Sequence, residues 1–93
     1  MIIGTGKIHL HANWVHSLKE KRMIVKSILA KVKNKFNVSA AEVEDLDLHQ
    51  SIVIGIACVS NSSEHCQSTI QNVINFIEQN TDAEILDIQI EVL

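Results

Sequence analysis

An α+β sandwich, with four strands in one antiparallel sheet and two helices on one of its faces, is the fold class predicted for this chain, and three observations predict it. Several segments alternate polar and apolar residues with period two, two others repeat apolar residues at helical spacing, and together they run strand, helix, strand, strand, helix, strand. That order is the split arrangement of a ferredoxin-like βαββαβ sandwich, in which two right-handed crossovers interleave and the first and third strands lie in the middle of the sheet. With 93 residues, 46% of them apolar, the chain can bury one core and not two, so residues 1–93 are expected to form a single domain.

The first strand is placed near residues 2–12, where Lys7-Ile8-His9-Leu10-His11-Ala12 sets Ile8, Leu10 and Ala12 on one face and Lys7, His9 and His11 on the other. Ser17 followed by Glu20 makes a capping box, and Leu18, Val25, Ile28, Leu29, Val32 and Phe36 recur at helical spacing, which predicts a helix over 17–35. Residues 37–47 and 51–60 read as the two arms of a hairpin about Leu46-Asp47-Leu48-His49-Gln50. In the second arm Ile52, Ile54, Ile56 and Cys58 share one face, yet Val53, Ala57 and Val59 make the other face apolar too, around Gly55. A central strand that is apolar on both sides implies cover for the nominally open face, and a homodimer through that face or an edge strand is expected. Asn61 as N-cap, with Glu64 three residues on, opens a second helix over 62–79 whose stripe is Cys66, Ile70, Val73, Ile74 and Ile77. The closing strand, 84–92, alternates Leu86, Ile88, Ile90 and Val92 with Asp87, Gln89 and Glu91.

Composition removes several function classes. The opening Met1-Ile2-Ile3-Gly4-Thr5-Gly6 lacks the basic and long apolar regions of a secretory signal, and the longest apolar run, 52–59, is far short of a membrane span, so a cytoplasmic protein with no membrane partner is expected. Cys58 and Cys66 belong to no Cys-x-x-Cys pair and read as reduced core residues. The aromatics are Trp14, Phe36 and Phe76, too few for a stacking platform. Gly4-Thr5-Gly6 opens a strand and does not join a strand to a helix, so close backbone packing explains it better than a nucleotide loop. His9-x-His11 has no third ligand at a defined spacing, and no metal or cofactor is assigned.

Charge is the informative feature. All eight Lys and Arg lie in residues 1–35 with one acid, Glu20, whereas residues 36–93 hold ten acids and no base. Within the first helix Lys19, Arg22, Lys26 and Lys33 fall at i, i+3, i+7 and i+14 and form one stripe, with Lys21 nearer the apolar face. Cations in the first turns oppose the helix dipole, at about 0.3–1 kcal/mol each when exposed, a local rule broken in a way that marks a functional candidate. With His16 and Ser17 shaping the helix start, Lys19, Lys21, Arg22, Lys26 and Lys33 are the candidate nucleic-acid-binding residues, suited to RNA phosphates. Two other readings stay open: a solvated Lys-rich face that merely aids solubility or pairs with acids such as Glu42, Glu44 and Glu78, and a protein-interaction or self-assembly module that presents the basic helix to an acidic surface.

The run His16-Ser17-Leu18-Lys19-Glu20-Lys21-Arg22, then Phe36-Asn37-Val38-Ser39 with Ala41-Glu42-Val43, then Val59-Ser60-Asn61, and Asp82-Ala83-Glu84-Ile85-Leu86-Asp87 resemble the YlxP-like family of small bacterial proteins, a domain of unknown function numbered 503. The resemblance covers essentially the whole chain. It implies a ferredoxin-like fold, and the family's gene neighbourhood, among genes for translation initiation and ribosome maturation, implies a role near the ribosome. Relatives often carry a Pro-Gly turn where this chain has Ala12-Asn13-Trp14-Val15, and Asp-Leu-Trp-Gln-Arg where it has Asp47-Leu48-His49-Gln50-Ser51. An aromatic and an arginine are thus missing from the hairpin. The expectation is a non-enzymatic factor, with no catalytic residues, that associates with RNA or a ribosomal particle. An acylphosphatase-like hydrolase, which shares the element order, is the remote alternative, because Asn13-Trp14-Val15-His16 holds no arginine and no glycine run to gather N–H donors about an anion.

Overall fold

Six elements carry the chain in the order that the patterning predicts: β1 (Ile2–His11), α1 (Leu18–Lys35), β2 (Ser39–Glu44), β3 (Ser51–Ser60), α2 (Ser63–Gln79) and β4 (Glu84–Val92). The computed structural model describes residues 1–93. The four strands form one sheet in the order β2-β3-β1-β4, every neighbouring pair antiparallel. Side chains from one sheet face, chiefly Ile8, Leu10, Ile52, Ile54 and Ile56, meet Val25, Ile28 and Val32 of α1 and Cys66, Ile70, Val73, Ile74 and Ile77 of α2 in a single core. No helix is long and apolar enough to cross a membrane.

Local chemistry sets the ends of the helices. Glu20 N donates to Ser17 Oγ at 3.1 Å, the backbone half of the expected cap, so α1 starts where the motif places it. In α2 the cap is one residue later than expected: Ser62, not Asn61, accepts from His65 N at 3.2 Å, and Asn61 stays exposed. Packing explains Gly6, since a Cβ there would lie 2.7 Å from Ile70 Cγ2, and α2 crosses β1 at a distance only glycine permits.

Strand β2 is shorter than the expected 37–47. Asp45 takes φ 56°, a left-handed backbone that Asp tolerates and a strand does not, so the ladder ends at Glu44 and Leu48 N donates to Asp45 O at 3.0 Å. The open face is covered in part by the chain itself. Val53, flanked in the ladder by His9 and Glu44, is 2% exposed, whereas Val59 is 67% and Val43 48% exposed.

Candidate nucleic-acid interface on the first helix

Helix α1 packs against β2 and α2 through Val25, Ile28 and Val32, which leaves the flank beside that apolar face open to solvent. Lys19, Arg22, Lys26 and Lys33 are all exposed on that side, strung over about 21 Å at 1.5 Å rise per residue. Arg22, Lys26 and Lys33, with Val25, Leu29, Ala30 and Glu42, line a groove of 480 Å³ between the helix and β2. His16 is exposed just before the helix, and Ser17 is occupied as its cap.

Ion pairing within the chain passes the stripe by. The charge pairs within 4.0 Å are Lys7–Glu44 at 3.0 Å, His9–Asp45 at 3.9 Å and Lys21–Glu42 at 2.8 Å. Glu42 and Glu44, two of the acids that a self-neutralised face would use, are therefore engaged by Lys21 and Lys7. Lys35, at the C-terminal end of α1, lies 4.8 Å from the centroid of the Phe76 ring and 5.8 Å from that of Phe36, the two rings themselves meeting edge to face at 5.5 Å. It is a cation bound to aromatic faces and does not extend the stripe.

Lys21 does not belong to the interface, contrary to the sequence expectation. It is fully buried, at 0% exposure, and its Nζ donates to three carbonyls of the β2–β3 turn: Asp45 O at 2.6 Å, Leu48 O at 2.7 Å and Ser51 O at 2.8 Å. An ammonium has three protons, and the carbonyls take all three. Glu42 Oε2, also 2.8 Å away, is thus held by charge alone and accepts no hydrogen bond. The spacing 21, 25, 28, 32 was the available signal, because it puts Lys21 in line with the buried apolar positions.

The turn that Lys21 holds carries a polar cluster that sequence reading missed. Ser51 Oγ donates its one proton to Asp45 Oδ2 at 2.6 Å and so accepts from His9 Nε2, 2.8 Å away, which fixes the proton on that ring nitrogen. His9, His11, His49, Ser51 and Leu86 line a hollow of 290 Å³ beside this relay. Asp87 faces His9 across the β1–β4 ladder, yet no three His, Cys, Asp or Glu side chains converge as metal ligands would. Gln50 Nε2 donates to Asn13 O and Val15 O, both at 3.1 Å, tying the β1–α1 turn to the same hairpin.

Fold and site together define a small ferredoxin-like domain with a free cationic helix, and the match of the family described as "Protein of unknown function (DUF503)" over residues 3–90 shows that the chain belongs to that family. Among its relatives is the uncharacterized protein YlxP of Bacillus subtilis (strain 168), 44% identical over 68 residues that span 73% of this chain and 74% of that protein. A de novo designed protein with a ferredoxin fold, solved by solution NMR, superposes with a TM-score of 0.63 over 98% of this chain and 85% of its own at 13% identity, which speaks to fold alone.

Proposed function

We propose that the domain is a non-enzymatic, cytoplasmic factor that holds RNA, in a ribosomal particle or on its way to one, by the phosphates along α1. The observation that carries this is the pairing pattern. Lys19, Arg22, Lys26 and Lys33 have no carboxylate within 4.0 Å, while Glu42 and Glu44 are committed to Lys21 and Lys7. A row of unpaired cations beside a groove positions a phosphate backbone without reading bases. Support for a non-enzymatic role comes from the β1–α1 turn, where Asn13-Trp14-Val15-His16 holds no arginine and no glycine run to gather donors about an anion, and Val15 N is already engaged by Ala12 O.

Salt titration tests the reading. Each phosphate contact releases condensed cations, so log K should fall with log salt by about 0.7–0.9 per contact, and four contacts give a slope near −3. Arg22→Ala or Lys26→Ala should lower that slope by about one unit with the fold intact. Equal binding of a structured ribosomal RNA fragment at low salt by wild type and by the variant with alanine at 19, 22, 26 and 33 would end the proposal.

One observation favours a second reading. Glu84, Asp87 and Glu91 are exposed on β4, at the sheet edge opposite the β2 edge that α1 covers. The molecule is charge-polarised, and its basic helix suits an acidic protein surface, including the β4 edge of a second copy. Tight protein association without RNA binding would select that reading.

A further inference from the structure

Two cysteines outside the cationic stripe meet in the core. Cys58 belongs to β3 and Cys66 to the first turn of α2, and both are free thiols. Their side chains cross: Cys58 Sγ lies 3.8 Å from Cys66 O, and Cys66 Sγ lies 4.0 Å from Cys58 O. Gly4, opposite Cys58 in the β1–β3 ladder, leaves room for the crossing, because a Cβ there would lie 3.0 Å from Cys66 Cβ and 3.2 Å from Cys58 Sγ. Nothing of the glycine's own stands between the two thiols.

The pair is also asymmetric toward solvent. Cys58 forms part of the wall of a 260 Å³ surface cavity with Lys35, Phe36, Asn37, Val59, His65 and Thr69, and Cys66 does not. Cys58 is 7% exposed and Cys66 0%, so the cavity offers a small reagent a route to Cys58 alone, with Cys66 next to it as the resolving partner.

From this geometry we infer that Cys58 and Cys66 form a two-cysteine oxidation site that takes a small peroxide through the cavity and closes to a 58–66 disulfide. In the first step Cys58 loses its proton and its sulfur attacks one peroxide oxygen. The O–O bond breaks, Cys58 becomes the sulfenic acid, and the departing oxygen takes the proton and leaves as water. In the second step Cys66 sulfur attacks Cys58 sulfur, the S–S bond forms, the S–O bond breaks, and hydroxide leaves with the Cys66 proton as a second water. Two thiols are oxidised and one peroxide is reduced to two waters; a dithiol reductant reverses the bridge. Burial, then the neighbouring Cys66 thiol, raises the Cys58 thiol above its ordinary value, so attack requires that its proton be removed first. The bridge pins the first turn of α2 to β3, across a connection of seven residues, 59–65.

The test uses the whole folded chain treated with hydrogen peroxide, then unfolded and alkylated with iodoacetamide. We expect loss of both alkylation sites together, an intact mass lower by two hydrogens, one cross-linked peptide joining positions 58 and 66, and full reversal by dithiothreitol. Cys66→Ala should leave Cys58 as a sulfenic acid that dimedone traps, while Cys58→Ala should leave Cys66 unmodified over the same exposure because it lacks the cavity route. Circular dichroism on each variant establishes that it is folded before it is scored. The inference fails if the folded protein keeps both thiols alkylatable under conditions that oxidise the urea-unfolded chain, if the only disulfide formed is between molecules, or if Cys66 in the Cys58→Ala variant oxidises as fast as Cys58 in wild type.

Discussion

Lys21 shows most directly how one side chain sets local structure. Taking an ammonium out of water costs several kcal/mol, and here three carbonyl acceptors and the Glu42 carboxylate offset it. Replacing Lys21 by Met would leave those groups in place without their cation, and we expect a loss of about 3–5 kcal/mol, a large share of the stability of a domain this size. Urea denaturation measures it, and a Lys21→Met variant within about 0.5 kcal/mol of wild type would contradict the account. Lys21→Arg should not rescue, because a planar fork cannot point at three carbonyls gathered round a point charge. At Cys58 burial, then the neighbouring Cys66 thiol, raises the thiol above its ordinary value of 9.0. The folded state therefore holds its proton while the unfolded chain releases it. This contribution is full below about pH 9 and is lost as pH rises through the folded value. Stability measured from pH 8 to 11 should decline more steeply in wild type than in a Cys58→Ala variant.

At the scale of the element, α1 divides its work between two faces that the sequence interleaves. The apolar spacing of Val25, Ile28 and Val32 predicts the helix and its inner face, and Ser17 with Glu20 predicts its start, because period and capping are local chemistry. The role of Lys21 was not legible from residue type: a lysine is ordinarily solvated, and the carbonyls that hold it come from a turn 24 to 30 positions away in sequence. Asn61 and Ser62 were both competent caps, and the choice fell to Ser62, whose own N–H is satisfied by Ser60 Oγ at 3.1 Å. The stripe and the scaffold are separable on this account. Alanine at 19, 22, 26 and 33 together should change unfolding free energy little, since all four side chains are exposed and unpaired, while Ser17→Ala alone should cost about 1 kcal/mol. Parallel denaturation and RNA-binding measurements check this, and a fourfold variant that unfolds more easily than Ser17→Ala would make the stripe structural.

Across the whole molecule the sheet order converts a charge bias along the chain into one across space. Strand β4 lies three strand spacings from β2, about 14 Å, so its exposed acids sit well away from the cations of α1. This separation permits head-to-tail contact between copies, and it competes with the apolar route through the open face, where Val43 and Val59 remain exposed and Val43, Thr5, Ala41 and Ala57 help to line a hollow of 730 Å³. The two routes differ in symmetry and in salt response. A face-to-face pairing uses the same patch on both copies and closes as a dimer, whereas helix-to-edge contact is heterologous and continues into longer assemblies. Apolar contact persists at high ionic strength, while contact between exposed charges is screened beyond about 10 Å at 0.1 M salt. Because Val53 is already covered within the chain and contributes nothing to that contact, we expect a weak dimer that sediments as such only at high protein concentration. Adding 0.5 M sodium chloride should leave that dimer in place, and Val43→Glu with Val59→Glu should reduce it to monomer without loss of fold. Only monomer at high concentration would remove self-association from the account, and assemblies that grow beyond two and dissolve in salt would assign it to the basic helix and the β4 edge.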